Sequence, residues 1–91
     1  MTTLHMDIEV SRSVVNQMDS TCDAIQSQLV TLSNTIQPFV GGSWISPAAT
    51  QFSSDFTQWS QSQRRLIEQL STLAQRLKVE IAEWEATASQ A

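Results

Sequence analysis

Tyrosine is missing from the 91-residue chain, and glycine, proline and cysteine are nearly so, at two, two and one. The single cysteine, Cys22, rules out an intrachain disulfide, so burial alone must hold a fold of this length together. The one histidine, His5, stands in an N-terminal segment expected to fray, which leaves histidine-based acid–base and metal chemistry without its usual parts. Basic residues number five, scattered as Arg12, Arg64, Arg65, Arg76 and Lys78, against nine acidic ones, for a net charge of −4. Nucleic-acid backbones require clustered Lys and Arg, so nucleic acid is not an expected partner. The same deficit argues against docking on anionic membranes. No uninterrupted apolar run is long enough to span a bilayer. The N-terminal "MTTLHMDIEV" has no basic stretch followed by an apolar one, so a cleavable signal peptide is not expected. An exported form would start in the cytoplasm and leave by a route that reads no such peptide.

What the chain has in quantity is helical periodicity. From Val15 the apolar positions run Met18, Cys22, Ile25, Leu29, Leu32, Ile36 and Phe39, in alternating steps of three and four. That is the seam of a helix lying along another helix. A second series runs Ile45, Ala49, Phe52, Phe56, Trp59, Leu66, Leu70, Leu73, Leu77 and Trp84, with Gln63 and Glu80 as polar interruptions. Between the two, "PFVGGSWISPAA" holds all four glycines and prolines of the chain. Gly41 and Gly42 supply the permissive backbone of a reversal. Ser46 can cap a helix that opens on Pro47, a favoured pairing, with Ser43 as the alternative cap. The expectation is one all-α domain over 1–91: helix 1 over about 7–37, a turn over about 38–46 and helix 2 over about 47–88, folded as an antiparallel hairpin.

A two-helix hairpin is a single layer, and one neighbour cannot cover a wide apolar stripe. Here the stripe widens on helix 2, where Ile67, Ala74 and Ile81 recur every seven residues beside the main series, and on helix 1, where Val14 and Ala24 flank it. Dimerisation into a four-helix bundle resolves this, with itself or another hairpin as partner. Polar surface is supplied by 33 Gln, Ser and Thr residues against 14 charged ones, so contacts on it depend little on charge. Gln63 is either a wet layer of the bundle or a register-setting polar contact.

Catalytic chemistry is not indicated. Cys22 lies on the seam, where a thiol behaves as a small apolar group. Asp19 and Asp23 share a helix face, but two carboxylates without further ligands make a poor metal site. The glycine pair follows a helix rather than a strand, so it is not a phosphate loop. No cofactor is implied. Glu80, Glu83 and Glu85 oppose the macrodipole at the end of helix 2, which predicts a frayed tail. Trp44, at the loop tip, either folds back between the helix ends or stands out as a recognition element.

"GGSWISPAATQF" at the turn of such a hairpin resembles the WXG family, the small Esx-like proteins of about 100 residues linked to type VII secretion. The family's Trp-x-Gly, a following Ala and a Phe correspond to Trp44-Ile45-Ser46, Ala48 or Ala49, and Phe52. Trp59 and the ladder Leu66, Leu70, Leu73, Leu77 resemble the family's second helix. Ser46 stands in place of the motif glycine. Trp84 takes the aromatic place of a C-terminal Tyr-x-x-x-acid signal, but Ala88 stands where the acid belongs. The resemblance implies a dimer exported folded, in which the turn (Gly42, Trp44, Ile45, Ser46) and a partner's tail are read together by the secretion ATPase. Two other readings are a helical-bundle adaptor with no export role and a membrane-active effector, the latter opposed by the scarcity of Lys and Arg.

Overall fold

The computed structural model describes the backbone of residues 4–90 and the side chains of 4–87. Two helices, α1 (Ile8–Phe39) and α2 (Pro47–Gln90), form an antiparallel hairpin measuring 68 × 21 × 19 Å. α1 opens on Asp7, whose Oδ1 accepts the Val10 N–H at 3.1 Å and so satisfies a donor the helix cannot. The Ser46 hydroxyl does the same for α2, accepting the Ala49 N–H at 3.1 Å. Ser43 is not the cap.

α1 runs through Pro38 to Phe39. A proline this close to a C-terminus removes a single hydrogen bond, and the Val40 N–H still reaches the Ile36 carbonyl at 3.0 Å. The chain then reverses at Gly41, whose φ of +91° suits only glycine. Gly42 passes so near the Pro38 carbonyl oxygen that a Cβ there would collide with backbone.

One row of α1 (Val15, Cys22 and Leu29 buried, Ile36 half-buried) packs against α2. The Cys22 thiol sits within the seam, its Sγ–H directed at the Ile67 carbonyl at 3.8 Å. On α2 the facing row differs from the sequence expectation. Ala49 is buried as the expected series has it, but beyond it Ser60, Ala74 and Ile81 are buried and Ile67 is half-buried. The residues expected as the main series, Phe52, Trp59, Leu66 and Leu73, stand exposed. Both rows share Phe56, Gln63, Leu70 and Leu77, all half-buried, so spacing does not choose between them. Size does: Ser60 and Ala74 let the helices approach closely, whereas a row with Phe52 and Trp59 would hold them apart.

Candidate partner-binding face and turn

The heptad position three residues after each seam residue puts Met18, Ile25, Leu32 and Phe39 of α1 on one side of the hairpin. The same step puts Phe56, Gln63, Leu70, Leu77 and Trp84 of α2 there too, with Phe52, Trp59, Leu66 and Leu73 beside them. The geometry agrees, because Val14, Met18 and Leu70 line one shallow groove between the helices. On this face Leu66 and Leu73 are 54% and 52% exposed. All four charged residues of α1 (Glu9, Arg12, Asp19 and Asp23) fall on other heptad positions, on the opposite side.

That opposite side is polar. Arg12 and Asn16 meet Lys78 across one groove, and Ser33 and Gln37 meet Thr57, Gln61 and Arg64 across another. Ion pairs tie the helices there: Arg12 to Glu85, and Lys78 to Asp19 at 3.1 Å. Asp19 is therefore a partner of Lys78. The hairpin has one wet face closed by polar contacts and one apolar face that its own chain leaves open.

The open face ends at the turn in an aromatic cluster. Trp44 folds back between the helix ends, its ring 5.7 Å from that of Phe39 and 5.8 Å from that of Phe52, both tilted. Its backbone closes the loop: the Trp44 N–H donates to the Phe39 carbonyl and the Gly41 N–H to the Trp44 carbonyl, each at 2.9 Å. Trp44 is half-buried by these neighbours, whereas Ile45 is 79% exposed and stands outermost. Ser46 occupies the place of a motif glycine by capping α2, a task serine performs at least as well. At the other end of the hairpin Trp84 is half-buried, and the side chain of Ala88 lies outside the described residues.

A family model described as "Proteins of 100 residues with WXG" matches residues 3–83, and the aromatic turn sits at the centre of that span. The chain belongs to the WXG100 family. Membership associates this WXG100 protein with type VII secretion, and relatives of this kind are small helical secreted proteins that typically act as dimers. No curated protein and no solved structure matches it significantly. No described helix is long and apolar enough to cross a membrane.

Sequence reasoning placed Trp44 at the turn but did not foresee that Phe39 and Phe52 would bracket it. The signal was present, since they are the aromatic residues next to Trp44 along the chain on either side. It also missed Ser60, whose buried hydroxyl has no hydrogen-bond partner. Its place in the heptad row of Ile67, Ala74 and Ile81 would have found it.

Proposed function

We propose that this WXG100 protein is a type VII secretion substrate, or the targeting partner of one, that works by assembly and recognition without catalysis. Its open apolar face pairs with a second hairpin, and the turn bearing Trp44, Ile45 and Ser46 is read by the secretion ATPase together with a tail supplied by the partner. The observation that carries the reading is the continuity of the exposed row Phe52, Trp59, Leu66 and Leu73 with the aromatic turn. Exposed apolar area of this extent on a small protein marks an interaction surface.

Ile45 gives the cleaner test, because Trp44 also braces the helix ends. Secretion is measured in the native cell as the amount of chain in the culture supernatant. Ile45→Asp is expected to cut that amount at least tenfold while the purified variant keeps its helicity and mass. Undiminished secretion would remove the turn from the recognition signal. One observation favours the adaptor reading: Ser46 is accounted for by capping alone. Absence of the wild-type chain from the supernatant, with no loss of any other secreted protein on its deletion, would favour that reading.

A further inference from the structure

The buried polar side chain of the seam is Ser60, 6% exposed, and its hydroxyl has no hydrogen-bond partner. Alanine fills the same row at Ala74, so packing does not call for the hydroxyl. Nor does α2 use it. Thr57 and Ser62 donate to the carbonyls four residues earlier, at 3.0 and 3.3 Å, whereas Ser60 does not. A buried donor without a partner costs desolvation and returns nothing, unless something outside the chain accepts from it.

Ser60 lines a groove of about 250 Å³ between the helices, on the polar face opposite the proposed pairing surface. Ser33 and Gln37 of α1 line it together with Thr57, Gln61 and Arg64 of α2, and Ile36 and Phe56 form its apolar part. No carboxylate lines it. Arg64 makes no ion pair among the described residues, although Glu68 stands one turn on, in the adjoining groove. The groove therefore holds an unpaired cation beside an unpartnered buried donor.

We propose that this groove binds a small, singly charged hydroxy acid, with Arg64 and Ser60 on its carboxylate and Thr57 on its hydroxyl. A guanidinium is a planar fork of donors that matches a carboxylate. Ser60 adds a donor and gains the acceptor it lacks. The Thr57 proton is committed to the Ser53 carbonyl, so this hydroxyl offers a ligand lone pairs only. Lone pairs call for a donor on the ligand, which a plain carboxylate lacks and a hydroxy acid has. One cation on a chain of net charge −4 favours a single negative charge over the two of a phosphate. Size sets the same limit, because pockets that enclose drug-sized ligands run to ~300–1,000 Å³.

The test is an NMR titration of the full, isotope-labelled chain with sodium lactate, against sodium chloride at equal concentration. Lactate is expected to give saturable shifts at residues 33–37 and 57–64 and at the Arg64 Nε–H, half-complete in the millimolar range. Acetate, which lacks the hydroxyl, is expected to bind about tenfold more weakly, and phosphate more weakly than lactate. Lactamide, which lacks the charge, is expected not to saturate. Arg64→Gln is expected to abolish saturation. Ser60→Ala is expected to raise the half-saturation point about tenfold in a chain that resists denaturant better, which separates lost binding from lost folding. Lactate shifts that grow linearly, as with chloride, would overturn the site and leave the Ser60 hydroxyl to water. Saturation that survives Arg64→Gln would place the ligand elsewhere and overturn it too. Acetate or phosphate binding as tightly as lactate would overturn the choice of a hydroxy acid.

Discussion

At the scale of single residues, three positions carry more than their size suggests. Ser60 buries a hydroxyl with no partner, so Ser60→Ala removes a desolvation cost and places a better helix former in α2. The variant is expected to gain about 1 kcal/mol, seen as a rise in denaturation midpoint at unchanged m-value. Gly42 lies against the Pro38 carbonyl with no room for a Cβ, so Gly42→Ala must push the turn open. It is expected to lose about 1–3 kcal/mol in urea unfolding, more than an exposed turn substitution costs. Trp44 joins Phe39 to Phe52, and Trp44→Ala loses two aromatic contacts worth about 0.5–1.5 kcal/mol each. Trp44→Phe is expected to keep most of that.

At the scale of the element, α2 is a helix with two apolar rows and a badly charged end. Because the Ala74 row faces α1, Ala74→Leu overpacks a seam that has no space and is expected to cost about 1–3 kcal/mol. Leu66→Ser, on the outward row, is expected to leave helicity nearly unchanged and to weaken dimerisation. Measuring both separates the seam within the chain from the seam between chains. Near the C-terminus the hydrogen bond with Glu83, and then its charge, hold the Glu80 carboxyl above its ordinary 4.5. A carboxyl with a raised folded-state value binds its proton more tightly in the helix than in the frayed chain. This contribution to the helix end is therefore present at acid pH and is lost as pH rises through and above 4.5. Protection factors for amides around residues 80–87 are expected to be higher at pH 4 than at pH 7, and Glu83→Gln is expected to remove most of the difference. An unchanged difference in that variant would assign the effect to the macrodipole alone.

At the scale of the whole molecule, the proposed function makes the hairpin half of an assembly. Among the described residues no large side chain is completely buried, and the closed polar face and open apolar face leave one side for a partner. Because the proposed pairing rests on apolar burial, raising ionic strength towards about 1 M is expected to leave it intact, as read by sedimentation equilibrium.

The sequence by itself determined the hairpin, because every strong helix breaker lies in one stretch and both flanks keep helical spacing, with Gln63 and Glu80 as the polar interruptions of the second. It also narrowed the α2 cap to Ser46 or Ser43, a matter of local hydrogen bonding that the structure decides for Ser46, and raised the expectation of a further neighbour from the widened stripe of α2. Only the tertiary structure decided which row of α2 faces α1. Phe52, Trp59, Leu66 and Leu73 fit the helical period as well as Ile67, Ala74 and Ile81 do, and both rows share the same half-buried residues between them. The choice falls to side-chain volume opposite Val15, Cys22 and Leu29, a property of two elements in contact that no pattern along one of them contains. The place of Trp44 was settled in the same way, by the meeting of Phe39 and Phe52 across the turn.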